Sequence, residues 1–316
     1  MLPVGSAVMD RTSPTHGRHW TISAEQHEAE IVQCGAALQS YRVDGRALAD
    51  HFRDDELPVG YAGQLLAPWP NRVAAGAYTW RGEHLQLPLN EPARGHAIHG
   101  LLCWEPWTLL DRAADRLLLE RNLFPRPGYP FALTVTVEWS VSTDGLRCRA
   151  VGTNPGTASA PFGFGSHPYL RVPGTTDTDD LRLQLPAATR LRPDERLLPV
   201  AHDPVERTGH DFRAGATLAG RRLDDAFTDV AREPDGTAHA RLFGPSGDGV
   251  EIWADGAFGY WQVFTADSLP ESSGHRRAAV AIEPMTCPAD AFNSGEGLVT
   301  LDPGARWEGT WGIRPC

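Results

Sequence analysis

Hydrophobic and polar positions along this chain alternate one by one. Leu133, Val135, Val137, Trp139 and Val141 interleave with Thr134, Thr136, Glu138, Ser140 and Ser142. That period of two predicts a strand with one face in a core and the other toward solvent. Leu181, Leu183 and Leu185 alternate with Arg182 and Gln184, and Leu146, Cys148 and Ala150 with Arg147 and Arg149. Val250, Ile252 and Ala254 make another short piece, while residues 279–282 form a continuous apolar run of buried-strand length. No 3.6-residue stripe is sustained; one or two helical turns are expected only around 62–66. Glycine (32) and proline (26) recur throughout, leaving room for strands but not for long helices. The expected fold is all-β, a large antiparallel β-sandwich. No repeat of fixed length suggests a propeller. Residues 19–316 read as a single domain, and residues 1–18 as a mobile lead-in.

Composition narrows the function classes. The 316 residues carry a net charge of −11, so nucleic acid and anionic membrane surfaces are not expected partners. All 29 basic residues are arginine, which removes Schiff-base chemistry, lysine-anchored pyridoxal phosphate and a lysine-bearing phosphate loop. Five cysteines, at 34, 103, 148, 287 and 316, form no C-x-x-C pair. An odd count without such spacing fits a reducing cytoplasm better than a disulfide framework or a four-cysteine zinc site. The N-terminus shows no basic stretch followed by an apolar core, and no run approaches the ~20 apolar residues of a membrane span.

Two nucleotide- and hydrolase-like motifs fail on inspection. Gly163-Phe164-Gly165-Ser166-His167-Pro168 has proline where a dinucleotide loop or a nucleophile elbow needs glycine. His96 and His99 form an H-x-x-H spacing, but Gly95 and Gly100 bracket it, and on a strand i and i+3 face opposite ways. A cupin-like metal site would have to recruit His96, His99, His167 and Glu283 together.

Four islands place polar groups where an inert core would not. Asn71-Arg72 follows Pro68-Trp69-Pro70, offering an arginine fork suited to hydroxyls or carboxylates. His96 and His99 sit between glycines with Trp104 and Trp107 downstream, as in sites where aromatic faces cover sugar rings. His167 lies between Gly165-Ser166 and Pro168, held in one direction and able to exchange a proton near neutral pH. Glu283 ends the apolar run; Ala279 and Ala281 share its face and leave room for a ligand. A carboxylate there must be paired or have a raised pKa, making it the best general-base candidate. Each island also has an inert reading: a surface arginine, structural histidines, a turn histidine, a solvent-touching glutamate. Asp224-Asp225 can be a solvated turn or can bind two hydroxyls.

Taken in order, these pieces resemble the aldose 1-epimerase (galactose mutarotase) family. The likeness runs from about Gly63 to Ile313. It comprises Asn71-Arg72-Val73, Ile98-His99-Gly100, Ser166-His167-Pro168-Tyr169, Leu223-Asp224-Asp225-Ala226-Phe227, Ala281-Ile282-Glu283-Pro284, Asp290-Ala291-Phe292-Asn293 and Leu301-Asp302-Pro303-Gly304. The resemblance implies a supersandwich fold and a site needing neither metal nor cofactor. It implies Glu283 as general base on the anomeric hydroxyl and His167 as general acid on the ring oxygen. Arg72, His99, Asp224 and Asn71 would bind the sugar, with Asp224 preferred over Asp225 because phenylalanine follows three residues later. The implied activity is interconversion of α and β anomers of a hexose such as glucose or galactose. A hexose-6-phosphate epimerase, needing further arginines (Arg94, Arg171 or Arg276) at the pocket mouth, is one alternative. A non-catalytic carbohydrate-binding protein is another. Monomer and dimer are both open.

Overall fold

The computed structural model describes residues 11–50 and 52–316, and about half of these lie in strands. Among these, two large sheets, entirely antiparallel, dominate. The first runs Thr108–Arg112, Arg116–Leu123, Leu133–Ser142, Gly145–Thr153, Arg306–Pro315, Gly249–Ala254, Ala238–Phe243, Arg182–Gln184 and Ala216–Thr217. All four alternating segments read from the sequence fall in it. Leu133–Ser142 buries its odd-numbered residues and turns its even-numbered ones outward, as a period of two requires.

The second, thirteen-stranded sheet begins at Arg11–Ser13 and continues through Gly17–Ala24, His27–Val32, Leu38–Val43 and Arg46–Ala49. It then passes through Tyr169–Leu170, Val280–Met285, Tyr260–Phe264, Asp224–Val230, Ala187–Pro193 and Pro199–Pro204. The continuous apolar run is thus an interior strand, with neighbours on both sides. Its even residues, Val280 and Ile282, enter the main core between the sheets, while Ala279 and Ala281 face the other way. Trp139 from the first sheet meets Trp311 edge to face at 5.5 Å. Its indole N–H donates to the Ala36 carbonyl, 3.1 Å away, in a turn of the second sheet. That bond ties the two layers through an otherwise apolar interior.

Two expectations change. Arg11–Ser13 pairs with Gly17–His19, so the part of the supposed lead-in beyond residue 10 is sheet; residues 1–10 lie outside the described residues. Residues 62–66 hold no helical turn: a short 3-10 turn at Val59–Tyr61 precedes a two-residue strand, Leu65–Leu66. Among the described residues, helix is confined to such turns and Ala291–Ser294. The five cysteines are free. No described helix is long and apolar enough to cross a membrane.

Candidate active site

Register builds the centre of the site. Gly165 pairs with Met285 and Tyr169 with Ala281 across one antiparallel ladder. Continuing that register through the short gap sets His167 opposite Glu283. On the other side Glu283 pairs with Gln262. His167, Glu283 and Gln262 therefore form one row across three strands, their side chains on the face turned away from the main core. Asp224 lies diagonally from Gln262, since Ala226 is Gln262's partner and Asp224 that of Phe264.

Over this row stands a two-stranded ribbon, Arg72–Ala74 paired with His96–Ile98. Just outside the ribbon Asn71 and His99 clasp each other, both with positive φ, 54° and 62°. The His99 amide donates to the Asn71 carbonyl at 2.8 Å, and the Asn71 amide to His99 Nδ1 at 3.2 Å. A neutral imidazole accepting at Nδ1 carries its hydrogen on Nε2, so His99 presents one N–H donor. Gly100, with φ 76°, is required here: a Cβ would sit 2.1 Å from the Ala67 carbonyl oxygen. Asp290 braces the ribbon from behind, its carboxylate accepting from the Ala74 amide at 2.9 Å.

The result is a cavity of about 160 Å³ lined by Asn71, Arg72, His99, His167, Asp224 and Glu283, and also by Tyr61, Glu91, Arg94 and Gln262. A cavity of ~150 Å³ accepts one six-membered ring. All six residues proposed from the sequence meet in it. At its floor His167 Nε2 and Glu283 Oε1 are 3.3 Å apart, the two side chains 6% and 2% exposed. Glu283 Oε2 and His167 Nδ1 have no protein partner. Buried polar atoms left unpaired are costly, and here they mark where a ligand's polar groups would bond. Burial, reinforced by Asp224, pushes the Glu283 carboxyl well above its ordinary range, with Arg72 opposing. Burial also pushes the His167 imidazole down, to about 3, and Arg72 adds to that. Both effects favour neutral forms, which widens the pH range over which the pair holds a single proton. Burial lowers His99 likewise, and raises Asp224 against the pull of Arg72.

The remaining contacts separate ligand-facing groups from bracing ones. Gln262 accepts from Asn71 Nδ2 at 3.3 Å and donates to Asp224 Oδ1 at 2.7 Å. Asn71 also accepts from Arg72 NH1 at 3.2 Å, so its amide is spent on holding neighbours. Glu91 accepts two bonds from Arg72, at 2.9 and 3.0 Å. Tyr169 stacks on His167, ring centroids 5.1 Å apart, and packs with Ala279 and Ala281. The room expected beside those alanines is therefore filled by Tyr169. Its hydroxyl donates to the Gly60 carbonyl at 3.1 Å, fixing the turn that lays Tyr61 against His99 at 4.5 Å.

Several sequence expectations end outside the cavity. His96 is fully buried; its Nδ1 accepts from the Ala75 amide and its Nε2 faces the Arg196 carbonyl. With both nitrogens committed to backbone, His96 does not join His99, His167 and Glu283, and the four-ligand metal set is not assembled. No described group of three or more histidines, cysteines or acids is placed to hold an ion. Trp107 is a core residue at 1% exposure, whereas Trp104 is half exposed and rests against Tyr61 at 5.7 Å. Asp225 is clasped by Arg190, away from the cavity. Arg171 and Arg276 pair with Asp50 and Glu271, leaving Arg94 as the arginine of the three that lines the pocket. Sequence reasoning missed Gln262, Tyr61 and Glu91. Register against Glu283 could have revealed Gln262, but no local pattern marks the other two.

Comparison with known proteins bears on the family and the fold. The aldose 1-epimerase family model matches residues 18–314. The Escherichia coli K12 protein YihR, described as uncharacterized, is 33% identical over 91% of this chain and 90% of its own length. An aldose 1-epimerase of Streptococcus thermophilus is 25% identical, over 77% of this chain and 76% of that protein. In fold, a galactose mutarotase-like protein from Clostridium acetobutylicum superposes with a TM-score of 0.83 at 18% identity, covering 95% of both chains.

Proposed function

The chain belongs to the aldose 1-epimerase family, and from that premise we propose that it interconverts the α and β anomers of a hexose such as glucose or galactose. The observation that carries the proposal is the buried Glu283–His167 pair, 3.3 Å apart, with an unpaired atom on each partner. Opening a hemiacetal requires one proton taken from O1 and one given to O5. A pair that shares one proton supplies both halves without net gain or loss. With a sugar bound, a donor at Glu283 and an acceptor at His167 favour the form with the proton on the imidazole. Glu283 then takes the O1 proton as the C1–O1 bond becomes a carbonyl. The C1–O5 bond breaks and His167 protonates O5. Rotation about C1–C2 presents the other face of the aldehyde, and closure runs the same transfers backward.

Arg72, His99 and Asp224 supply two donors and an acceptor around the ring, placed to hold the open chain while C1 turns. No step calls for a lysine, which this chain lacks. Arg94 favours a second reading, a hexose carrying an anionic group such as a 6-phosphate, because it lines the pocket and its side chain is 37% exposed. A mutarotation panel over free and 6-phosphorylated hexoses, read by polarimetry or NMR anomer exchange, tests both. Faster exchange of free hexoses supports the first reading, and faster exchange of the phosphorylated sugars alone supports the second. Saturable binding without any acceleration would instead mean a sugar-binding protein.

A further inference from the structure

Glu91 is the one acidic group lining the cavity that neither the sequence patterns nor the proposed proton transfers use. It lies on the segment before His96–Ile98, and its side chain is 14% exposed. Both its oxygens bond to the Arg72 fork, Oε2 to Nε at 2.9 Å and Oε1 to NH2 at 3.0 Å. Oε1 also accepts from Arg94 NH1 at 3.0 Å. Its backbone is pinned as well: the Glu91 carbonyl accepts from the amides of Arg94, Gly95 and His96. Burial opposes charge on Glu91, but the two arginines outweigh it and hold the carboxyl below its ordinary value.

Arg72 matters beyond its own bonds, because its charge acts on the titratable groups around it. It pulls Glu283 and Asp224 down and pushes protons off His167 and His99. We propose that Glu91 is a positioning residue, which fixes the Arg72 fork in a single orientation and balances its charge beside the Glu283–His167 pair. A bidentate carboxylate is the partner that fixes an arginine's plane as well as its position. With Nε and NH2 committed to Glu91, NH1 is the corner directed toward Asn71. The charged and titratable groups facing this unit are few. Arg94 meets Glu91 from the turn before the ribbon, Asp224 faces it from the sheet, Tyr61 and His96 feel both charges from the 59–61 turn and the ribbon, and His99, His167 and Glu283 complete the wall. The proposal deepens the reading given above and rests on it for its kinetic arm only.

The test compares Glu91→Gln, Glu91→Asp and Arg94→Ala with the wild-type chain, each verified as folded by circular dichroism. Removing the negative charge strengthens the field of Arg72 at the pair, and a positive field lowers the pKa of carboxyl and imidazole alike. Glu91→Gln should move both limbs of the pH–rate profile down by about half a unit to one unit and raise KM about tenfold. Arg94→Ala removes a positive charge and should move both limbs upward, by less because Arg94 is partly exposed. Glu91→Asp should restore the wild-type limbs while KM stays raised. An NMR titration of the His167 ring in the same variants gives the shifts without any substrate. A folded Glu91→Gln protein with wild-type limbs and an unmoved His167 titration would overturn the proposal. If no sugar is turned over but the His167 titration moves as stated, the assigned activity fails and the role of Glu91 stands.

Discussion

Two walls of one cavity are built in different ways. The floor, His167–Glu283–Gln262, is a row across paired strands, and each side chain's direction follows from ladder register. The opposite wall, Asn71, Arg72, Glu91, His99 and Tyr61, sits on a short ribbon and turns. There Asn71, Tyr61 and His99 all adopt positive φ, between 54° and 62°. Strands hold geometry tightly, and turns with left-handed residues store strain that neighbours must offset. In the proposed reaction the proton-transferring pair lies on the stiff wall and Arg72 and His99 on the ribbon side, while Asp224 stands on the sheet diagonal to Gln262. The comparison implies that damage to the floor lowers turnover, whereas damage to the ribbon wall weakens binding.

The largest effect should follow from removing either half of the pair. Glu283→Gln and His167→Ala should each lower kcat for anomer exchange by about 10²–10⁴-fold, the usual worth of a positioned proton transfer, with KM little changed. Arg72→Ala and Asp224→Ala should instead act mainly on KM, about ten- to a hundredfold in steady-state polarimetry. A kcat loss as large as that of Glu283→Gln from Arg72→Ala would erase the distinction between the walls.

The pH profile sharpens the same contrast. Burial raises Glu283 and lowers His167, so the one-proton form spans a broad plateau. Activity should fall at acid pH as the pair takes a second proton and at alkaline pH as it loses its only one. In Glu283→Gln the limb belonging to the carboxyl should vanish from the residual rate. Stability should move the opposite way. A carboxyl whose folded pKa is raised costs stability as pH rises above the unfolded value. Glu283→Gln should therefore unfold at higher denaturant than wild type near pH 8, by about 1 kcal/mol, and show no gain near pH 4. On the ribbon wall, Gly100→Ala should cost about 1–3 kcal/mol in the same measurement, because φ is positive and a Cβ meets the Ala67 carbonyl. An unchanged midpoint would mean that the clasp between Asn71 and His99 is looser than described.

Legibility in the sequence divides along the same line. The all-β fold was readable because the period of two survives in Leu133–Ser142 and Gly145–Thr153, where one face is buried and the other wet. Glu283 was readable because a carboxylate at the end of an apolar run is anomalous anywhere. Arg72, His99, His167 and Asp224 emerged as chemically unusual islands, and the family resemblance supplied their roles. Glu91 and Tyr61 were not readable, since each depends on a contact made after folding, with Arg72 and with His99. The same limit made His96 look equivalent to His99, although one side of the ribbon faces the cavity and the other the Arg196 carbonyl. Trp104 and Trp107 looked alike in sequence for the same reason, yet Trp107 packs in the core and Trp104 lies half exposed against Tyr61. Arg11–Ser13 was misjudged because an edge strand needs no alternating apolar residues to pair with its neighbour.

The most direct test of the account is the rate of anomer exchange in freshly dissolved α-glucose and α-galactose, followed by NMR at neutral pH with wild-type protein and Glu283→Gln in parallel. The account predicts rapid catalysed exchange of at least one sugar by the wild type, and a drop of at least 10²-fold in the variant with folding intact. Equal rates for the two proteins would contradict it.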